Sequence, residues 1–469
     1  VTLLHPDLLA LLGACRAAPA DDIPRLVLAD WLEESADAAG LPAGDARERA
    51  ALIRTQVELA RPTCDADRVT HLRAAEARLI ERNAPRWLGG LPYCLDRVNG
   101  RQPFGFARAA APAGGPLVPF RTDHAWRFGR GLLTVDLVPT ALTDPELVAW
   151  FASPLAPWVE EAGVAIDGLS ALERLVVAPA VRPYLGVRYA LGAPQPPSMR
   201  LVNARPEVVT AKRCRRLLRC ANFELVRELT VHPLAVQAGA LAHLPDANAG
   251  GLRRLAVRAP LGDPGAALLA ATPCVNLSAL DVAGCEIGAD GLRLLAHSPH
   301  LRQLTSLVAF RNRFGCDGLV ELVRSPLADR LSVLEVQNAG VGDRGAVALA
   351  ESPLLDRLAG PGLNLSMNPI SDAGAVALAA SPHLEPFTEL ILRDCRVSDR
   401  GAAALADSPH VANLKYLDLW QNRVGDAGAR ALAASPHLDG ACEISLRDNA
   451  ITARGAEPLS RRFGGRVKV

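Results

Sequence analysis

The feature that most constrains this chain is a repeat. Glycines recur at Gly265, Gly291, Gly318, Gly345, Gly374, Gly401, Gly428 and Gly455, at intervals of 26, 27, 27, 29, 27, 27 and 27 residues. One phrase surrounds each of them. Its clearest copy is Leu414-Lys-Tyr-Leu417-Asp-Leu419-Trp-Gln-Asn422-Arg-Val424-Gly-Asp426-Ala-Gly428, then Ala-Arg-Ala-Leu432-Ala-Ala-Ser435-Pro436-His437-Leu438. Leu417-x-Leu419 alternates with period two, which predicts a short strand with both leucines inward. Asp426 precedes a run with Ala429, Leu432 and Ala433 at helical spacing, and its carboxylate is placed to serve as that helix's N-cap. Pro436 ends the helix, because proline disfavours helical geometry in the residue before it. A strand, turn, helix and return of this length cannot bury their own apolar faces. Stacked copies can, so the expected fold is a solenoid.

Three residues after the second strand leucine stand Cys285, Asn312, Ala339, Asn368, Cys395, Asn422 and Asn449. Asparagine carries donors and an acceptor that can satisfy backbone groups where stacked coils bend. The pattern L-x-x-L-x-L-x-x-N/C-x-L resembles the leucine-rich repeat family. The 27-residue period and helical half are similar to its ribonuclease-inhibitor subclass. The resemblance covers eight copies over residues 250–463. It implies an α/β solenoid, with a parallel sheet on the concave face and helices on the convex face. Cys285, Asn312, Asn368, Cys395, Asn422 and Asn449 would form its structural ladder. Two departures mark irregular coils: the first copy is one residue short before Gly265, and Ala339 interrupts the ladder with Asn338 displaced by one.

Ahead of the repeat, apolar positions at helical spacing predict helices over 6–18, 22–36, 45–61 and 67–84. Asp22 is placed to cap the second and Pro24 suits its first turn. The segment Asp21-Asp22-Ile23-Pro24-Arg25-Leu26-Val27-Leu28-Ala29-Asp30-Trp31-Leu32-Glu33-Glu34, with Arg47-x-x-Ala50-x-Leu52-Ile53-Arg54-x-Gln56 and Arg86-Trp87-Leu88-Gly89, resembles the bacterial repeat-companion domain. That resemblance covers about residues 5–60 and implies architecture without chemistry. Three regions are therefore expected: a small all-α domain over 1–90, irregular degenerate coils and an N-terminal cap over 91–227, and the solenoid with its C-terminal cap over 228–469. Within the middle region, Gly131–Leu137 and Leu172–Val177 read as strands and Phe151–Leu155 echoes the later Ser-Pro-His-Leu ending. Segments 109–119 and 191–198 read as loops. Glu228–Val231 followed by Gly239 extends the period backward.

Composition narrows the function classes. Lys+Arg is 51 against Asp+Glu 50, a net charge of +1, and aromatics are 4%. Neither a basic field nor a supply of stacking rings points to nucleic acid. Ten cysteines in 469 residues, with no CxxC pair, are too few for a disulfide scaffold and match no zinc template, so free thiols in a reducing cytoplasm are expected. No apolar stretch approaches the ~20 residues of a membrane span. Leu8–Cys15 mimics a lipoprotein signal, but His5 and Asp7 stand where a basic n-region belongs, and an amphipathic helix is the preferred reading.

No phosphate-cradling loop, dinucleotide fingerprint, zinc-protease or nucleophile-elbow motif occurs, so no catalytic residue, metal site or cofactor is expected. His300, His383, His410 and His437 share one repeat position and read as repeated structure. Lys212–Arg219 is the strongest basic cluster. It reads first as a solvated helix face with Leu217 and Leu218 inward, and second as a nucleic-acid or lipid contact.

Strand alternation supplies the better surface. If Leu417 and Leu419 point inward, their neighbours point out onto the concave sheet. One outward column runs Ala256, Asp281, Val308, Glu335, Asn364, Ile391, Asp418 and Ser445. The next runs Arg258, Ala283, Phe310, Gln337, Ser366, Arg393, Trp420 and Arg447. Exposed Trp, Phe and Arg are the types enriched at binding hot spots. A protein partner is thus expected on Arg258, Asp281, Phe310, Glu335, Gln337, Ile391, Arg393, Asp418, Trp420 and Arg447. The subclass resemblance keeps one alternative open, a regulator of another enzyme, as ribonuclease inhibitors and Ran-type GTPase activators are. Arg258, Arg393 or Arg447 would then imitate a transition-state arginine. The partner's identity and the oligomeric state are not written in the sequence.

Overall fold

The computed structural model describes residues 5–17, 21–35, 41, 44–61, 66–88, 126–129, 132–137, 156–166, 173, 185–191, 210–237, 239–438 and 442–469. The chain forms two compact units, Val1–Tyr189 and Ala190–Val469.

The first unit opens with helices α1 (Pro6–Ala17), α2 (Ile23–Glu34), α3 (Asp45–Leu59) and α4 (Ala66–Leu88), close to the bounds expected from apolar spacing. Leu8, Leu12 and Cys15 meet Leu28, Leu32, Ile53 and Val57 in one core with Leu132 and Trp158. The Leu8–Cys15 segment is therefore an amphipathic helix whose cysteine is buried. Pro24 lies in the first turn of α2 as expected, but the Asp22 side chain does not cap it. Asp21 Oδ1 accepts the Ile23 N–H instead, at 2.9 Å. Beside this core Arg49 donates to Asp45 at 3.0 Å and lies 4.0 Å from the Trp158 ring centroid and 4.9 Å from that of Trp87. Trp87 Nε1 donates to the other Asp45 oxygen at 2.5 Å. Burial lowers the Arg49 guanidinium to about 10 against the pull of Asp45, so it stays charged at neutral pH. A carboxylate and two ring faces replace its lost water.

The same unit holds an antiparallel pair, β1 (Trp126–Gly129) and β2 (Leu132–Leu137). Onto it β3 (Val159–Ile166) and β4 (Leu185–Leu191) add in parallel. Thr134 pairs with Glu161 and Ala162 with Leu185, offsets of 27 and 23 residues, near the repeat period. Leu191, expected in a loop, ends β4, and Glu173, expected in a strand, is helical; the other expectations for 109–119, 151–155, 172–177 and 192–198 lie outside the described residues.

In the second unit, the residues described from 210 on form α5 (Ala211–Leu218) and then coils. Strands β5 (Val226–Val231), β6 (Arg254–Val257), β7 (Ala279–Asp281), β8 (Ser306–Val308) and β9 (Val333–Glu335) pair in parallel and in sequence order. A second ladder runs through β10 (Gly362–Asn364), β11 (Glu389–Ile391), β12 (Tyr416–Asp418), β13 (Glu443–Ser445) and β14 (Val467–Lys468). A helix follows each strand from β6 to β13, and apart from Leu334 the paired inward positions are buried, as at Leu280/Val282, Leu390/Leu392 and Leu417/Leu419. The tail segment 461–468 supplies β14, and Arg462 donates to the Ala433 and Leu438 carbonyls.

Three ladders of polar side chains join coil to coil. In the first, Asn312, Asn368, Asn422 and Asn449 each donate to a carbonyl of the preceding coil and to one of their own. Their Oδ1 atoms accept an N–H of the preceding coil, at Ile287, Val341, Val397 and Val424. Cys285 and Cys395 substitute with longer S–H contacts of 3.4 and 3.6 Å to Val257 and Leu365 carbonyls.

The second ladder corrects the reading of Asp426. It is the first residue of its helix, not the N-cap, which is Gly425. Its carboxylate accepts the Thr452 N–H and hydroxyl in the next coil, both at 2.7 Å. Asp343 and Asp372 do the same to Ser371 and Ser398 one coil on, Asp263 and Asp399 accept the Gly288 and Gly425 N–H groups, and all four also take the N–H of the repeat glycine. The acid thus serves its neighbour's orphan N–H groups. This also explains the once-per-coil glycine. A Cβ at Gly428 would lie 2.8 Å from both Asp399 Oδ1 and Val424 Cγ1.

In the third ladder, Ser298, Ser381, Ser408 and Ser435 of the Ser-Pro pairs donate to the preceding coil's helix-end carbonyls at 2.5 Å.

The residue before each asparagine-ladder position takes a left-handed backbone: Gly284, Arg311, Asn338, Met367, Asp394, Gln421 and Asp448. This conformation is costly for side chains other than glycine. It is held because each N–H donates forward to the next coil where one follows, as Arg311 to Gln337 and Asp394 to Trp420, both at 2.8 Å. Asn338 is this residue in its coil, so it does not replace the missing ladder side chain at Ala339.

The 29-residue interval has a structural consequence. Pro361 occupies the place that Thr305 and Ser332 hold in their coils, and proline has no N–H to give the ladder. The Ala359 N–H bonds Ser332 instead, and no bridge forms between β9 and β10. Elsewhere an N–H just beyond the strand bonds the next coil, as Ala309 to Glu335 and Leu392 to Asp418, both at 2.9 Å. The counterpart from Val336 to Asn364 is missing, and Leu334 is only half-buried. Native-state hydrogen exchange should therefore find the Val336 amide much faster than that of Ala309. Equal protection would refute a break at this junction.

Candidate partner-binding face

The outward columns of the second unit run along two stretches of in-register strands about 4.8 Å apart, one on each side of the junction between β9 and β10. Arg258 and Arg447 are exposed on them, whereas Phe310, Gln337, Ile391, Arg393 and Trp420 are half-buried. Arg258 pairs with Asp281 at 2.6 Å. Glu335 lies two strands from Asp281. Burial, helped by the Asp281 charge, raises its carboxyl above the usual range. Gln337 Oε1 is buried with no partner among the described residues.

The last coils carry the most organised part. The Arg393 guanidinium carbon lies 3.4 Å from the Trp420 ring centroid. Trp420 Nε1 donates to Asp448 Oδ2 at 2.6 Å, which fixes the indole from its far edge. Asp418 was expected to face a partner, but it is 6% exposed. Its Oδ1 accepts the Trp420 N–H at 2.9 Å and its Oδ2 the Tyr416 hydroxyl at 3.1 Å. It positions the tryptophan instead of meeting solvent. Asp448 escaped the reading of the sequence because strand alternation stops before the left-handed position it occupies. Tyr416 escaped it because it lies one step ahead of the two columns.

Other sequence-marked features sit elsewhere. His383 and His410, on the helix side of the coils, contact Asp356 and Glu385 at 2.8 and 2.7 Å. Among the described residues no three His, Cys, Asp or Glu side chains come together as a metal site. Burial pushes the Cys285 and Cys395 thiols up to about 11 and Cys274 up to about 12, which leaves them unreactive core groups. In α5, Cys214, Leu217 and Leu218 are buried while Lys212, Arg213, Arg215 and Arg216 are exposed. No described helix is long and apolar enough to cross a membrane.

Residues 274–296, 363–379, 383–406 and 412–433 match the family model described as leucine-rich repeat. These segments carry leucine-rich repeats. Among solved structures the chain is similar to an internalin from Listeria monocytogenes, at TM-score 0.40 and 16% identity over 71% of this chain and 85% of that one. It is also similar to a leucine-rich repeat protein from Bacteroides eggerthii, at TM-score 0.30 and 15% identity over 52% of this chain and 41% of that one. The search of curated proteins gave no match.

Proposed function

We propose that this leucine-rich-repeat chain is a non-enzymatic scaffold that binds another protein on the concave face of its repeat arc. The observation that carries the reading is the Arg393–Trp420 stack, held in place by Asp418 and Asp448 on the sheet face. A large ring and a guanidinium fixed before binding lose little conformational freedom on contact, which is how hot spots gain affinity. Arg258, Phe310, Gln337 and Ile391 extend the footprint across the face. Side chains of this kind spread over many strands suit a protein surface, whereas a catalytic pocket gathers titratable groups at one point. Leucine-rich repeats generally mediate protein–protein contacts, and this supports the reading. An enzyme regulator would use the same face, with Arg393 or Arg447 as its candidate arginine.

The test is quantitative affinity capture with wild type and with Arg393→Ala/Trp420→Ala. Partner capture should fall at least ten-fold while the thermal melt of the arc is preserved. Unchanged capture would overturn the choice of face.

A further inference from the structure

We infer that the C-terminal end of the concave face is a carboxylate-recognition site, built to take an acidic peptide segment of a protein partner. The inference rests on the concave-face reading and specifies its chemistry.

The cations here are uncommitted and most of the anions are not. The Arg393 side chain has no hydrogen bond or ion pair among the described residues, and its Nε is buried without a partner. Its only organised contact is the Trp420 ring. Arg447 follows Trp420 in the same column, one strand on. Arg396 and Arg423 stand one residue past the ladder position in successive coils. All three are exposed, and none is paired among the described residues. By contrast, Asp418 and Asp448 are bound to Tyr416 and Trp420, and Glu443 is paired with Lys468. Glu389 and Asp394 on the strand side and Asp407 at a helix end are acids of these coils without a described partner. One uncommitted guanidinium group thus lies on the aromatic platform, and three more stand on the same or adjacent coils.

Guanidinium is the group that fits this role. Stacking on an indole leaves its N–H edge in the ring plane's direction, free for a bidentate carboxylate. The indole is itself oriented by Asp448, so the fork is set before the ligand arrives. A buried Nε without a partner costs free energy that a bound carboxylate would recover. The ladder spacing of about 4.8 Å between coils places Arg396 and Arg423 to meet further acidic side chains along an extended segment.

The experiment is fluorescence anisotropy of the full chain with a labelled octapeptide carrying four consecutive glutamates between glycines. The control peptide has glutamine in their place, and a third carries phosphoserines. The glutamate peptide should bind at least ten-fold tighter than the glutamine one. Arg393→Gln should erase that preference. Arg393→Lys, which keeps the charge but not the fork, should also weaken binding about five-fold or more. Arg213→Gln in α5 should change nothing, and circular-dichroism melts check that each variant folds. Equal binding of the glutamate and glutamine peptides would overturn the inference. So would binding confined to the phosphoserine peptide, or a loss that follows Arg213 instead of Arg393. If the capture experiment locates the partner on this face while the glutamate peptide is ignored, the face stands and the acidic ligand falls.

Discussion

Asn368→Ala should destabilise the repeat unit by about 3–5 kcal/mol, more than the same change at any other rung of the asparagine ladder. Asn368 is 1% exposed. Its Nδ2 donates to Val336 and Leu365 carbonyls at 3.0 and 3.1 Å, and its Oδ1 accepts the Ala339 and Val341 N–H groups at 3.1 and 2.9 Å. Truncation leaves the Val336 carbonyl and the Ala339 and Val341 N–H groups without their partner and leaves the Leu365 carbonyl only its Cys395 contact; each buried unpaired group costs roughly 1–3 kcal/mol. The position also aggravates the loss. Asn368 bridges the junction where β9 and β10 form no ladder, so its side chain replaces backbone bonds that other coils possess. Asn422 bonds one preceding-coil N–H, at Val397, and sits between paired strands. Urea denaturation of the two alanine variants should therefore rank Asn368 well below Asn422. The reverse order, or two equal midpoints, would contradict the structural role given to the junction.

Leu417→Ala should cost about 2–5 kcal/mol through the cavity it leaves. The side chain is 1% exposed and lies between Leu390 and Ile444 of the neighbouring strands. Coils in a solenoid gain stability from their neighbours, so a cavity in β12 weakens two interfaces at once. A denaturation midpoint indistinguishable from wild type would mean that the strand register is wrong.

These two sites show what was legible in advance. Leu417 could be placed from alternation alone, because a period of two has a single buried face. The asparagine ladder was equally visible, since one polar residue recurred at a position where solvent cannot reach. Asp426 was misassigned for a physical reason. An acid at the start of a helix normally caps that helix, and nothing in one coil's sequence says that stacking brings the next coil's N–H groups closer. The 29-residue interval was visible as a number, but its effect needed Pro361 to be located in the ladder. On the face, alternation identified Trp420 and Arg393, yet it could not foresee that Asp418 would turn back to hold the Trp420 backbone N–H. Nor could it foresee Asp448, whose left-handed backbone lies beyond the strand.

The central claim is that partners meet the sheet face of the arc. Its most direct measurement is photo-crosslinking from a benzoylphenylalanine placed at Phe310 on the sheet face or at His410 on the helix side, followed by identification of the crosslinked proteins. The account predicts adducts with a partner from position 310 and none from position 410. Adducts from 410 alone would contradict it.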